Sequence, residues 1–266
     1  MVKINTSKKS TWCPGCFNFQ ILGGINNFLS KKIKSNSDKN KWGIVTGIGC
    51  HAKIFDSLDL GGINSLHGRP LPTALGMKIA NPKINVLAFS GDGDAYSEGL
   101  EHFVHMCRDN ADVKYIVHNN QVFALTVGQP TPVTEIGFKD KSTPKGVKLK
   151  PLNPLKLALS SGAGFVARVF ADVNQVEKVL EEAFKYKGFA FIEIIQPCII
   201  FHPDSGFKEK TYNLQSKKHD ISNWEKAMKK AQEFNYDGID KKTKIPLGIF
   251  YKKERKTFEE MVNSNE

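Results

Sequence analysis

The stretch I-N-V-L-A-F-S-G-D-G-D-A, residues 84–95, is the most informative part of the chain for its fold. Its apolar first part is nearly continuous, as expected of a strand that is covered on both faces of a sheet. It ends at G-D-G-D, residues 91–94, where the glycines allow the backbone to approach a ligand closely. A second apolar run, residues 113–117, is followed by two asparagines. We therefore predict two buried, neighbouring strands that carry Asp92 and Asn120 at their carboxyl ends.

Helical and strand patterns alternate on both sides of this stretch. The predicted strands are 44–48, 84–90, 113–117, 164–170 and 190–195, and the predicted helices are 17–33, 71–80, 97–108, 155–160, 173–186 and 222–234. Such alternation implies βαβ units, hence an α/β fold with a mostly parallel sheet and helices on both faces.

The remaining segments lack clear periodicity. Residues 119–151, rich in Pro, Thr, Gly and Lys, predict a long loop of the kind that is usually functional or disordered. Residues 31–41 predict a solvated connector, and the end of the chain predicts a lysine-rich tail. We treat residues 1–266 as a single domain with an N-terminal cysteine-bearing segment and a C-terminal tail.

The composition of the 266 residues is that of a globular protein, with 40% hydrophobic and 24% charged residues. No apolar run approaches the roughly 20 residues of a membrane helix, and the first ten residues lack the apolar segment of a signal peptide. We predict a cytoplasmic protein without membrane contact. The net charge of +11 favours an anionic partner. Because no basic helix is interleaved with aromatic residues, we predict no nucleic acid partner.

The two polar motifs have a specific spacing. G-D-G at 91–93 and N-N at 119–120 are separated by 25 residues, which matches the fingerprint of thiamine-diphosphate-binding proteins. Mg²⁺ takes oxygen ligands, few of them from the protein, together with cofactor phosphates, and a helix that follows the motif would point its N-terminus at a diphosphate. A single G-D-G is equally a turn signal, so the prediction depends on the pair.

Five cysteines in a chain without a secretory signal favour metal binding or free thiols over disulfides. The C-x-x-C of Cys13 and Cys16 is compatible with a zinc site, a redox pair or half of a cluster site. Cys50 and Cys198 each follow a predicted strand, so they would emerge at the sheet edge where the C-x-x-C could meet them. Four thiolates hold either zinc or a [4Fe–4S] cluster, and the sequence does not separate the two metals.

Six motifs resemble, in order along most of the chain, the β subunit of the 2-oxoacid:ferredoxin oxidoreductases. They are W-C-P-G-C (12–16), G-I-G-C (47–50), L-H-G-R-P-L-P-T-A-L-G-M-K-I-A-N-P (66–82), G-D-G-D-A (91–95), L-T-V-G-Q-P-T-P (125–132) and K-I-P-L-G-I-F (244–250). The resemblance implies a thiamine-diphosphate-binding fold that is active only with an α, or fused γα, partner subunit. It also implies oxidative decarboxylation of a 2-oxoacid with coenzyme A to acyl-CoA and CO₂, with electrons passed through a [4Fe–4S] cluster to ferredoxin.

The same resemblance assigns residue roles. Cys13, Cys16, Cys50 and Cys198 would hold the cluster, whereas Cys107 matches no ligand position and is interpreted as a core residue. The Mg²⁺ ligands would be Asp92, Asn120 and the backbone carbonyl of Val122. The residues expected to line the cofactor are Ile48, Gly49, Cys50, His51, His67, Gly91, Gly93, Asp94, Ala124 and Leu125.

Some assignments have simpler alternatives. His67 could be a satisfied loop histidine, and Lys53, a candidate substrate contact, could be a surface lysine. The resemblance implies that the glutamate that activates thiamine comes from the partner subunit, and no glutamate of this chain lies in a recognisable motif for that task. Relatives often have Gly at Ala124 and Lys at Val127, so the resemblance does not extend to the substrate, least of all to a dicarboxylic one.

Two other classes of function stay open at this point. One is a zinc-stapled scaffold subunit without catalysis, and the other is a thiamine-dependent decarboxylase or synthase without a cluster. The identity of the 2-oxoacid is not encoded in any motif of the chain. We expect an αβ heterodimer or its dimer.

Overall fold

A computed structural model describes residues 2–203, 207–237 and 242–263. The helices are α1 Asn18–Lys32, α2 Asn36–Lys39, α3 Ile54–Ser57, α4 Pro70–Ala80, α5 Leu100–Asp109, α6 Pro154–Ser160, α7 Val173–Lys185, α8 Phe207–Lys210, α9 Trp224–Ala231 and α10 Phe258–Asn263. The strands are β1 Trp42–Thr46, β2 Gly61–Asn64, β3 Asn85–Gly91, β4 Val113–Asn119, β5 Val122–Phe123, β6 Gln129–Pro130, β7 Phe165–Phe170, β8 Ala190–Ile195, β9 Thr211–Asn213 and β10 Ile245–Lys252.

Within the described residues, eight strands form one sheet in the order β2-β1-β3-β4-β8-β7-β10-β9. The strands from β2 to β7 in this order are all parallel. Strand β10 runs antiparallel to β7, and β9 runs parallel to β10. The sheet is therefore mostly parallel, which confirms the predicted fold class.

Two apolar layers cover the sheet, and alternate residues of β3 point into different layers. Val86 and Ala88 belong to a core with residues of α4, α5, α6 and α9. Leu87 and Phe89 belong to a second core with residues of α1, α3 and α7. Because side chains alternate across a strand, burial on both faces requires the continuous apolar run seen in the sequence.

Helices α1 and α7 pack closely on one of these faces. A Cβ atom on Gly24 would lie 2.6 Å from Cβ of Val176 and 2.7 Å from the carbonyl oxygen of Val173, so only glycine fits. The side chain of Asp172 caps α7 by accepting the backbone N–H groups of Asn174 and Gln175 at 3.1 Å each. This packing fixes α1, whose first turn follows the C-x-x-C segment.

The C-terminal prediction was wrong in one respect, because the predicted lysine-rich tail contains strand β10. Pro246 and Gly248 lie inside that strand, and both residue types weaken a strand signal. Strand β2, whose sequence is G-G-I-N, was missed for the same reason. The parts of the predicted tail at 238–241 and 264–266 lie outside the described residues.

Smaller differences concern helix ends. The predicted connector 31–41 contains the end of α1 and the short helix α2, which Ser35 and Asp38 close with a capping box. The helix predicted at 97–108 is preceded by a π-helical turn, Asp94–Glu98, which joins α5 at Gly99. π-Helical turns are frequent at functional sites. Helix α9 is shorter at both ends than the predicted 222–234.

No helix within residues 2–203, 207–237 and 242–263 combines the length and apolarity needed to cross a bilayer.

Candidate cofactor cleft and cysteine cavity

The strand order reverses between β1 and β3. From β1 the chain first adds β2 on one side and then returns to add β3 on the other. In open α/β sheets a crevice forms at such a switch point, outside the carboxyl ends of the strands, and it is where ligands bind. The segments at the carboxyl ends of β1 and β3 are residues 47–51 and 91–95, which carry two of the motifs found in the sequence.

A cleft with about 500 Å³ of empty volume, part of it open to solvent, lies at this switch point. Every residue predicted to line the cofactor lies along it, as do Asp92, Asn120 and Val122, which were predicted as Mg²⁺ ligands. Strands β3 and β4 are parallel neighbours, with Gly91 opposite His118. The structure therefore brings together the residues that the motifs singled out.

Asp92 is buried, with 1% of its surface exposed. Its Oδ1 accepts the backbone N–H of Asn120 at 3.3 Å, and its Oδ2 accepts the hydroxyl of Thr131 at 2.6 Å. Burial raises the pKa of Asp92 to about 7, although these hydrogen bonds oppose the shift. Oδ1 of Asn120 accepts the backbone N–H of Val122 at 3.1 Å. A hard cation bound here would hold the Asp92 carboxylate in its ionised form.

The side chain of Asp94 contacts two other loops that border the cleft, so three loops are connected at this residue. Its Oδ1 accepts the backbone N–H of Gly68 at 2.7 Å and that of Ile48 at 3.3 Å, and it lies 2.9 Å from Nδ1 of His67. Burial raises the pKa of Asp94, but the hydrogen bond from His67 and other contacts outweigh it, so the pKa is lowered overall. The hydrogen bond to Asp94 raises the pKa of His67.

Glycines are required where the loops approach these side chains. A Cβ on Gly47 would lie 1.9 Å from Oδ2 of Asp94, and a Cβ on Gly93 would lie 2.2 Å from the ring of Phe123. No side chain fits at either position. The G-D-G and G-I-G patterns therefore reflect close packing around the cleft.

Apart from Nδ1 of His67, which lies 2.9 Å from Oδ1 of Asp94, four buried polar atoms on residues that line the cleft lack a hydrogen-bond partner among the described residues. They are Nε2 of His51 and Oδ2 of Asp94, which lie 3.6 Å apart, Nε2 of His118 and Oε1 of Gln196. Burial lowers the pKa of His51 to about 4 and lowers that of His118 well below its usual value, so both rings are neutral. Buried polar atoms are normally bonded, so this group indicates a cleft built for a polar ligand.

A second cavity, with about 430 Å³ of empty volume, is lined by the four cysteines Cys13, Cys16, Cys50 and Cys198. All four are free thiols. The backbone N–H of Cys16 donates to the carbonyl of Cys13 at 3.0 Å, and Nε1 of Trp12 donates to the carbonyl of Cys50 at 2.6 Å. These contacts hold the C-x-x-C segment against the end of β1, so the predicted convergence of the cysteines is confirmed.

The two cavities share a wall. Cys50, Asn120, Ala124 and Gln196 line both of them. Burial raises the pKa of Cys16 and raises that of Cys50 to about 11. In the part of the chain that the structure describes, no three His, Cys, Asp or Glu side chains are grouped to hold a single metal ion. A [4Fe–4S] cluster contains several irons, so its four cysteine ligands need not converge on one metal position.

Two further predicted residues have clear positions. Lys53 lines the cysteine cavity and is not among the residues of the cleft, and its Nζ donates to the carbonyl of Thr11 at 3.0 Å. Cys107 is fully buried in the core, as predicted, and burial raises its pKa far above the usual value.

Sequence reasoning missed several residues of the site. His118, Phe123, Thr126 and Gln196 line the cleft, and Thr131 bonds to Asp92. His118 and Gln196 lie at the carboxyl ends of β4 and β8, and that position alone could have identified them. Thr131 lies in the aperiodic loop, where no pattern pointed to it.

Comparison with known families agrees with this geometry. Residues 47–194 match the family model "Thiamine pyrophosphate enzyme, C-terminal TPP binding domain", and residues 205–266 match the model for the C-terminal part of the pyruvate ferredoxin oxidoreductase beta subunit. The chain is 38% identical to the 2-oxoacid:ferredoxin oxidoreductase subunit beta of Saccharolobus solfataricus, over 91% of this chain and 82% of that protein. It is 39% identical to the 2-oxoglutarate synthase subunit KorB of Archaeoglobus fulgidus, over 70% of this chain and 69% of that one.

A solved structure is also similar. It is the 2-oxoglutarate:ferredoxin oxidoreductase from Magnetococcus marinus with 2-oxoglutarate, coenzyme A and succinyl-CoA bound, with a TM-score of 0.91 and 29% identity over 98% of this chain and 88% of that one. The fold and the matched domain are those of a thiamine-pyrophosphate-binding enzyme. Within that class, the chain belongs to the β subunits of the 2-oxoacid:ferredoxin oxidoreductases.

Proposed function

We propose that this chain binds thiamine diphosphate, Mg²⁺ and a [4Fe–4S] cluster and, with an α or fused γα subunit, oxidises a 2-oxoacid. The products are acyl-CoA, formed with coenzyme A, and CO₂, and the electrons pass to ferredoxin. The observation that carries the proposal is the shared wall between the cleft and the cysteine cavity, because electron transfer requires the two groups to lie close together. We place this activity in the cytoplasm.

Asp92, Asn120 and the backbone carbonyl of Val122 would hold Mg²⁺, with the diphosphate against Gly93 and Asp94. No Lys or Arg is found among the described residues that line the cleft, so the backbone and the metal ion would neutralise the diphosphate. When bound, thiamine supplies the carbon nucleophile that adds to a 2-oxo group and stabilises the carbanion left by CO₂. Leu125 and Ala124 would support the cofactor from below.

The histidines of this chain have different tasks in the proposal. The neutral His51 and His118 offer unpartnered Nε2 atoms for hydrogen bonds to the organic part of the cofactor. His67, bound to Asp94 and partly exposed, would contact the diphosphate side. All three lie on the cleft.

The partner subunit would cover the cleft. Ile48, Leu66, Leu125 and Val127 are large apolar residues with 39% to 76% of their surface exposed, and Ile48 and Leu125 line the cleft itself. Leu66 and Val127 adjoin the cleft residues His67 and Thr126 in the sequence, and exposed apolar side chains around one cleft are typical of an interface. No glutamate is present among the described cleft residues, which supports the expectation that the partner provides the activating glutamate.

Cys13, Cys16, Cys50 and Cys198 would hold the [4Fe–4S] cluster, which would take up, one at a time, the electrons that the 2-oxoacid loses as it is oxidised. Lys53 lies on the cysteine side of the wall, so as a contact for an anionic substrate it would act from that side. The net charge of +11 would attract an acidic ferredoxin. Val127, which is 62% exposed, offers no charge to a second substrate carboxylate.

The test uses the full chain produced together with its α subunit under anaerobic conditions. Iron and sulfide content, visible absorbance and reduction of ferredoxin are measured with a panel of 2-oxoacids that includes pyruvate, 2-oxoglutarate, branched and aryl substrates. We expect four irons per chain and coenzyme A-dependent turnover. Zinc without visible absorbance would instead establish the zinc-stapled scaffold. Cys13→Ala that keeps both the cluster and ferredoxin reduction would contradict the proposed ligand set, and turnover without any cluster would establish the cluster-free decarboxylase.

A further inference from the structure

Two side-chain amides approach the sulfur of Cys16, one from Asn18, two residues further along the chain, and one from the distant Gln196. Nδ2 of Asn18 lies 3.6 Å from Sγ, and Nε2 of Gln196 lies 3.7 Å from it. Asn18 is the first residue of α1, and Gln196 directly follows β8. Both are nearly fully buried, with 1% and 2% of their surface exposed. Solvent therefore does not compete with the sulfur for these donors.

The orientation of the Asn18 amide follows from its other contact. Its Oδ1 lies 2.7 Å from Nδ1 of His118, which donates to it when the neutral ring carries its proton on Nδ1; Nε2 has no partner among the described residues. A reversed amide would place Oδ1 against the sulfur, and a thiolate and a carbonyl oxygen are both acceptors. His118 thus fixes Asn18 with its N–H groups toward Cys16.

Gln196 is held by its backbone, whose N–H donates to the carbonyl of Asn119 at 2.8 Å. Its side-chain Oε1 has no hydrogen-bond partner among the described residues. A buried amide that is only partly hydrogen-bonded costs folding free energy. An apolar residue at position 196, in the wall between the cleft and the cysteine cavity, would therefore make the folded chain more stable. The sulfur of Cys16 is the partner that its N–H group does have.

We propose that Asn18 and Gln196 are positioning residues that hold the Cys16 sulfur and raise the reduction potential of the cluster. This inference rests on the proposed function, because it assumes a cluster bound by the four cysteines. Each electron that the 2-oxoacid gives up during its oxidation would make the cluster and its thiolates more negative by one charge. N–H donors at a ligand sulfur stabilise that added charge, and hydrogen bonds to sulfur are among the factors that set cluster potentials.

The hydrogen bond at the sulfur of Cys198 comes from the backbone instead of a side chain. Cys198 Sγ accepts the backbone N–H of Phe201 at 3.4 Å, a donor that no side-chain substitution removes. Among the described residues, the side-chain groups that donate to a cysteine sulfur are those of Asn18 and Gln196, and both donate to Cys16. Substitution at Asn18 and Gln196 therefore changes the hydrogen bonding of one ligand and leaves the donor at Cys198 in place.

The experiment compares the full chain with Gln196→Met, Asn18→Leu and the double variant. Gln20→Met is the matched control, because Gln20 lies on α1 but is exposed. Each protein is reconstituted anaerobically with iron and sulfide, and the midpoint potential is measured by a redox titration followed by electron paramagnetic resonance. We expect the double variant to shift the reduction equilibrium about tenfold toward the oxidised form, which is about 59 mV more negative for one electron. Each single variant should shift it by less, and the control should not shift it.

Asn18→Asp and Gln196→Glu keep the shape of each side chain and replace the donor by oxygen, so they serve if an apolar variant cannot be loaded. They should give at least as negative a potential. Loss of the cluster from the donor variants, with unfolding temperatures of the metal-free chains unchanged, also supports the inference, because the sulfur is then no longer held. Loaded variants with an unchanged potential overturn it, as does destabilisation of the metal-free chains that accounts for the loss of the cluster. If the unaltered chain itself binds no four-iron cluster, the proposed function has failed instead.

Discussion

The hydroxyl of Thr131 donates a hydrogen bond of 2.6 Å to Oδ2 of Asp92. This contact connects the long aperiodic segment after β4 with the end of β3, and both groups are buried. The backbone N–H of Thr131 is in turn bonded to Oγ1 of Thr134 at 2.7 Å. The loop therefore supplies a fixed donor to the carboxylate that is proposed to bind Mg²⁺.

Thr131→Val should weaken binding of Mg²⁺ and thiamine diphosphate. The hydrogen bond favours the ionised form of Asp92, which burial disfavours, and a bond to a charged group contributes about 1.5–3 kcal/mol. We expect a loss of affinity of about tenfold to a hundredfold by titration calorimetry at neutral pH. Thr131→Ser keeps the hydroxyl and should stay close to the unaltered protein. Equal affinities for Thr131→Val and Thr131→Ser would refute the role of this donor.

Val127→Gly should stabilise the chain. Val127 has φ 74° and ψ 29°, a left-handed conformation that costs an L-residue roughly 1–2 kcal/mol. Because glycine adopts it freely but loses more entropy on folding, the expected net gain is below about 1 kcal/mol, measured by thermal unfolding. Val127→Ala keeps a Cβ atom and should gain less. A lower unfolding temperature for Val127→Gly than for Val127→Ala would contradict the assignment of strain.

Arg168→Met should be strongly destabilising. Nε of Arg168 donates to Oε2 of Glu193 at 2.7 Å, and both side chains are fully buried. Removing one partner of a buried pair leaves an unpaired charge and costs about 3–5 kcal/mol. Urea unfolding measures this loss. The control is Lys226→Met, which breaks the exposed pair with Asp220 and should cost at most about 1 kcal/mol; similar losses in both variants would contradict this account.

The contribution of Glu135 to stability should depend on pH. Both of its carboxylate oxygens lie 3.0 Å from Nε2 of His202. Burial raises the pKa of Glu135, but the bond with His202 outweighs it and lowers the pKa overall from 4.5. A lowered pKa in the folded state gives stability that is full above the unfolded value and is lost as the pH falls through the folded value.

We therefore expect Glu135→Gln to be less stable than the unaltered protein at pH 6, with the difference disappearing as the pH falls below about 4.5. Urea unfolding across this pH range is the measurement. A difference that grows on acidification would show that the sign is wrong.

Alkylation should distinguish the cysteines in the metal-free chain. Cys13 is exposed, whereas Cys107 is fully buried with a raised pKa, and only a thiolate reacts readily. We expect iodoacetamide to modify Cys13 first and Cys107 only after unfolding, as measured by peptide mass spectrometry. Loading with iron and sulfide should protect Cys13 and leave Cys107 unchanged. Early modification of Cys107 under native conditions would contradict its position in the core.

Local sequence patterns were sufficient for the central strands. The apolar runs of β3 and β4 can be recognised in the local sequence, because a strand that is buried on both faces is apolar at nearly every position. Strand β10 was missed, since Pro246 and Gly248 weaken its own signal and its place in the sheet depends on pairing with β7. The shared cavity of Cys50 and Cys198 was predictable because parallel strands end at the same edge of a sheet.

The fold class, the family, and the motifs that line the cleft and the cysteine cavity could all be inferred from the order of the amino acids. The residues that hydrogen-bond to those motifs could be identified only from the tertiary structure. Thr131 lies 39 residues from Asp92, Gly68 lies 26 residues from Asp94, and Gln196 lies 180 residues from Cys16. Hydrogen bonds over such separations leave no periodic pattern in the chain, because their geometry is set by how the sheet and its loops pack together.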